Sequence, residues 1–77
     1  MGRIPIKTPR DIIKAFSLIG YQIIRQRGSH IRLVNPLNHS RKPITIPNHE
    51  IVKPGLLRKI LRDAGLTVDD LVELLKN

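Results

Sequence analysis

Arg25-Gln26-Arg27-Gly28-Ser29-His30 is the stretch around which the rest of the chain can be placed. Tyr21 to Ile24 upstream and Ile31 to Val34 downstream are aromatic and β-branched enough for strands, so Gly28 falls where a hairpin reverses. Ser29 and His30 then stand at the start of the second strand. Side chains alternate faces along a strand, which sends Ile31 and Leu33 toward a core and leaves His30 and Arg32 on the opposite face. An imidazole takes or gives a proton near neutral pH, and Arg25, Arg27 and Arg32 can hold a phosphate beside it. The stretch is suited to phosphodiester chemistry.

A single histidine on the open face of a small sheet is more often a solvated polar residue, so spacing alone does not make His30 catalytic. Ser29 and His30 form no triad, because neighbouring strand residues point to opposite faces and no carboxylate is in evident support. Ser29 is read as steadying the turn or donating to a phosphate. His30, His39 and His49 recur at intervals of nine and ten residues with loops between them, and there are no cysteines, so neither a metal site nor a disulfide is expected.

Upstream, residues 1–7 carry Pro5 and two cationic side chains, Arg3 and Lys7, without periodicity and read as a loose basic arm. Thr8-Pro9-Arg10-Asp11 is a helix start, with Thr8 as N-cap and Pro9 at the first helical position. A helix over 8–19 follows, with Ile12, Phe16 and Ile19 on one face and Gly20 as a left-handed cap. Ile23 and Ile24 are both apolar, which leaves the inner face of the first strand open; hairpin strands are placed over 21–34. Residues 35–42 form a turn-rich loop, and Pro43-Ile44-Thr45-Ile46-Pro47 a third strand limited by prolines. Asn48 to Lys53, with His49 and Glu50, is a second loop leading to a helix over 54–64. Leu56, Leu57, Ile60, Leu61 and Ala64 are its buried stripe. Thr67-Val68-Asp69-Asp70 caps a short helix over 68–76. Residues 1–77 are read as one domain. The fold class is α+β: α-β-β-β-α with a short extra C-terminal helix, a three-stranded antiparallel sheet and helices on one face.

The 77 residues carry 14 Lys and Arg against 6 Asp and Glu, a net charge of +8 that points to a polyanion, with nucleic acid as the first choice. All but Lys76 of the cations precede Asp63, so the body binds and the C-terminal segment does not. Tyr21 and Phe16 are the only aromatic residues, which argues against a platform of exposed rings for single strands. Contacts to the backbone are expected from Arg25, Arg27, Arg32, Lys42, Arg58, Lys59 and Arg62. Arg58 and Arg62, four apart, repel one another unless phosphates lie near, whereas Lys59 and Asp63 attract. No spanning or signal segment is visible, so a cytoplasmic protein is expected. Paired carboxylates and a Gly-rich phosphate loop are missing too. The chemistry left is cleavage of RNA by its own 2′-hydroxyl, which needs a base, an acid and cations and no metal in principle. His30 supplies one proton transfer; His49 is a second acid or base, or else lies in a plain solvated turn.

Gly20-Tyr21, Gly28-Ser29-His30, Ile44-Thr45-Ile46-Pro47-Asn48-His49 and the run from Lys53 to Gly65 together resemble the HicA (YcfA-like) toxins, small mRNA interferases of toxin-antitoxin pairs. The likeness covers nearly the whole chain. It implies a fold similar to double-stranded-RNA-binding domains, His30 as the catalytic residue, no cofactor, mRNA as substrate and a HicB-type antitoxin as partner. Departures are a longer 35–42 loop and a longer basic arm, so His39 inherits no role. A non-catalytic RNA-binding module of the same fold is the main alternative, and a protein meeting only an acidic protein partner is a third.

Overall fold

The computed structural model describes Ile4 and residues 6–76. The element order is α1 (Pro9–Ser17), β1 (Gln22–Arg27), β2 (His30–Val34), β3 (Ile44–Pro47), α2 (Pro54–Ala64) and α3 (Val68–Leu75). The strands form one antiparallel sheet in the order β1-β2-β3. Ile31 and Leu33 of β2 and Ile44 and Ile46 of β3 are buried beneath Ile12 and Phe16 of α1 and Leu57, Ile60 and Leu61 of α2. α3 packs on α1 and α2 and contributes Leu71 to the same core. This is the expected α+β architecture.

α1 and α3 begin where their side-chain caps dictate, and α2 begins at Pro54 without one. Thr8 Oγ1 accepts from the Asp11 N–H at 3.2 Å, and Thr67 and Asp70 form a reciprocal capping box at 2.9 and 3.0 Å. Both Thr67 bonds hold the Asp70 carboxyl below its ordinary value. α1 is shorter than the expected 8–19: it ends at Ser17, with Leu18 as its right-handed cap. One tighter turn follows, and Gly20 closes it at φ +104°. The Gly20 N–H donates to Ser17 O and the Tyr21 N–H to Phe16 O, each at 3.2 Å, the pairing of a Schellman motif. A Cβ at Gly20 would stand 2.9 Å from Asn35 Oδ1, so the close approach and the dihedral both favour glycine.

One further expectation changes, and one gains detail. The arm is not loose along its whole length. The Lys7 carbonyl accepts from the Val52 N–H at 2.9 Å in an isolated bridge, and Ile4 packs on the core, while residues 1–3 and 5 lie outside the described residues. The 35–42 loop is tied down at both ends. Asn35, 5% exposed, donates from Nδ2 to Ile19 O and accepts on Oδ1 from the Leu37 and Asn38 N–H groups. Buried Tyr21 donates its hydroxyl to Lys42 O at 2.7 Å, and Arg41 Nη1 donates to Ala64 O at 2.7 Å. Burial raises the Tyr21 pKa, against the lowering effect of Arg41.

Candidate active site

The site is built on β2. Its alternation points Ile31 and Leu33 into the core and His30 and Arg32 out of the opposite face. Gly28 takes φ +57° at the first of two loop positions, where a II′ hairpin turn needs a positive φ, so the hairpin closes as tightly as two residues allow. That turn fixes the register. Arg27 stands opposite His30 and Arg25 opposite Arg32, placing all four on the outer face. On the other flank, β3 brings Pro47 opposite His30 and Thr45 opposite Arg32. Arg32 Nη1 donates to Thr45 Oγ1 at 2.9 Å, which orients that guanidinium.

Three clefts meet around this face. Arg25, Arg27, His30, Arg32 and Thr45 line one of about 260 Å³, whose charged side chains are all basic. A second, of about 270 Å³, runs from His30 across the edge of β3 to Lys59 and Asp63 of α2. The third is the largest at about 620 Å³, and is lined by Pro47, His49, Glu50, Ile51, Lys53 and Leu56. It adjoins the second through Pro47 and Leu56, which belong to both. His30 therefore stands where the arginine cleft meets the second, and the third lies beyond Pro47 and Leu56. The Asn48 N–H donates to Ser29 O at 2.6 Å, pinning the segment that carries His49 beside the hairpin turn.

The sequence candidates divide accordingly. His30, Arg25, Arg27 and Arg32 are brought together, and Lys59 reaches the adjoining cleft while paired with Asp63 at 3.1 Å. Ser29 is an exposed turn residue, held through its carbonyl. Arg58 and Arg62 are exposed on α2 and line neither His30 cleft, and His39 is exposed in the 35–42 loop. Lys42 is engaged through its backbone, its N–H donating to Asp63 O at 2.9 Å, and it too lines neither. Sequence reasoning missed Thr45 and the large cleft. The Ile44-Thr45-Ile46 alternation put Thr45 on the open face, but its register against Arg32 is not written in local sequence.

An arginine-walled pocket with an accessible imidazole can bind a phosphate and move a proton next to it. No helix among the described residues is long and apolar enough to cross a membrane. Among curated proteins none matches the sequence. The family model for the HicA toxin of bacterial toxin-antitoxin systems matches residues 9–66, which include every strand, α1, α2 and the lining of all three clefts. With well over half of its length matched, and with the expected order of helices and strands, the chain belongs to the HicA toxin family.

Proposed function

We propose that this chain is a metal-independent endoribonuclease that cleaves mRNA in the cytoplasm, with His30 transferring a proton at the scissile phosphate. The observation that carries the reading is the position of His30, at the mouth of a cleft whose other charged side chains are Arg25, Arg27 and Arg32. The 2′-hydroxyl gives up its proton as its oxygen bonds to phosphorus; the P–O5′ bond breaks, and the leaving oxygen takes a proton. His30 serves as base for the first transfer or acid for the second, and His49, on the segment tied to Ser29, serves as its counterpart. Arg25, Arg27 and Arg32 stabilise the charge that builds on the phosphoryl oxygens, with Arg32 held in place by Thr45. Lys42, Lys59, Arg58 and Arg62 attract the flanking backbone at longer range.

Membership of a toxin-antitoxin family implies an antitoxin. We place a HicB-type partner with acidic residues against Arg25, Arg27 and Arg32, where it excludes RNA from His30 by competition.

The test is His30→Ala. His30 is exposed, so its truncation leaves no core cavity and the variant should fold like the parent. Cleavage should be lost while RNA binding persists, and the parent's products should carry 2′,3′-cyclic phosphate and 5′-hydroxyl ends in excess chelator. Undiminished cleavage by the folded variant sinks the assignment of His30. Binding without cleavage by the parent itself leaves an RNA-binding module.

A further inference from the structure

Only His49 of the largest cleft's lining takes part in the proposed phosphate chemistry, and the rest of that lining differs in kind from the arginine pocket. Pro47, Ile51 and Leu56 give it apolar walls, and Glu50 brings a carboxylate with no ion pair among the described residues, whereas Asp63 of the adjoining groove is paired with Lys59. A carboxylate repels phosphate, so this cleft is no extension of the backbone track. Its volume, about 620 Å³ against about 260 Å³ for the arginine pocket, falls in the range of roughly 300–1,000 Å³ typical of small-molecule sites. Glu50 and Lys53 line it together without forming an ion pair, the ion pairs among the described residues being Lys59–Asp63 and Lys76–Glu73. An acceptor and a donor are thus both left facing the same space. Apolar walls with a carboxylate and an ammonium at the rim suit a flat, edge-polar ring, and the cleft joins the His30 groove through Pro47 and Leu56.

We propose that this cleft is a nucleobase subsite for the nucleotide next to the scissile phosphate, and that it selects guanine. The base lies against Pro47, Ile51 and Leu56, as an unstacked base of single-stranded RNA lies against a protein surface. Guanine presents two adjacent donors, N1–H and the N2 amino group, followed by the O6 acceptor. The two oxygens of Glu50 accept from the donors, and Lys53 donates to O6. Uracil, cytosine and adenine each offer a single type of donor on that edge and leave one carboxylate oxygen unmatched. Glu50 and Lys53 are thereby specificity residues, standing apart from proton transfer.

This inference rests on the RNA-cleaving reading, so the experiment separates the two by measuring binding without cleavage. Short single-stranded RNAs that differ only in one nucleotide, guanosine, inosine, adenosine, uridine or cytidine, are titrated against the His30→Ala protein by fluorescence anisotropy. Guanosine should bind about tenfold or more tighter than inosine, which lacks only the N2 amino group, because a hydrogen bond to a charged acceptor is lost. Adding Glu50→Gln should abolish that gap, while any gain in affinity from losing the negative charge should be shared by all five RNAs. In the cleaving parent, the same substitution should redistribute cut sites away from guanosine. Equal binding of all five RNAs overturns the subsite, as does a guanosine preference that survives Glu50→Gln. Glu50→Gln that slows cleavage of every RNA alike, with binding preference intact, also overturns it and moves Glu50 into proton transfer. A parent that does not cleave but still prefers guanosine supports the subsite and refutes the nuclease.

Discussion

β1 and β2 are neighbours of similar composition, yet they are held in different ways. β2 alternates buried and outward residues over a core of helices, whereas all six residues of β1 are exposed, Ile23 and Ile24 at 52% and 57%. The helices cover the β3 side of the sheet and stop short of β1. β1 is therefore kept in place by its hydrogen bonds to β2 and by the two-residue turn, with little packing of its own. The difference teaches that one hairpin divides two tasks. β2 anchors the fold and aims His30, while β1 supplies cations that carry no packing role and are free to be used on a ligand.

The sharpest test of that division is stability. Leu33→Ala empties a fully buried position and should cost about 2–5 kcal/mol, close to the whole stability of a small domain, as read by urea denaturation. Ile23→Ala, its partner across the strands, should cost less than half as much, because half of its surface already meets water. Equal losses would mean that β1 is packed, and would break the comparison.

Next in size is the effect on RNA. Arg25→Ala and Arg27→Ala should leave stability within about 0.5 kcal/mol, as exposed substitutions do. Each should weaken RNA binding and reduce the slope of log affinity against log salt by about 0.7 in single-stranded RNA. Titrations at three salt concentrations measure it. Lys42→Ala, whose position lines neither His30 cleft, should change the slope less than either. A Lys42 effect equal to that of Arg27 would move the RNA track away from β1.

The smallest effect lies outside both strands and calibrates them. The folded protein holds the Asp70 carboxyl below its ordinary value of 3.8 through its bonds to Thr67. Its stabilisation is complete above that value and is lost as pH falls through the lower folded one. Asp70→Asn should therefore flatten the melting temperature against pH in that acid window and leave RNA binding near neutrality untouched. A change in binding would show that the C-terminal helix meets the ligand after all.

What could be read from sequence follows from how local each determinant is. Thr8, Pro9, Gly65 and the Thr67–Asp70 box act within one helical turn, and the helices they bound are where the sequence places them, apart from the tightened end of α1. The open face of β2 follows from simple alternation. The inner face of β1 was not legible, because the register shifts between Ile23 and Arg25 and leaves Ile24 as the extra residue of a bulge. No local pattern announces that. Asn35 is buried for bonds made sixteen residues away, at Ile19 O, and the large cleft arises only when the 48–53 loop meets α2. The site was legible in its arginines and histidine, and illegible where strand register or three-dimensional shape, rather than residue type, sets the outcome.

The anchored 35–42 loop has a consequence for enzymatic digestion. Its polar, turn-rich sequence with Arg41 near the end looks like a natural place for trypsin to nick. Cutting there requires the arginine to leave its seat and enter the protease, and its guanidinium is bonded to Ala64 O while Tyr21 and Asn35 fasten the backbone on either side. Brief trypsin treatment of the native chain should spare Arg41 and fall first on Arg25 and Arg27, in the strand that nothing covers. The segment that looks most vulnerable is thus among the better protected, and the strand that looks regular is where the chain would first be cut.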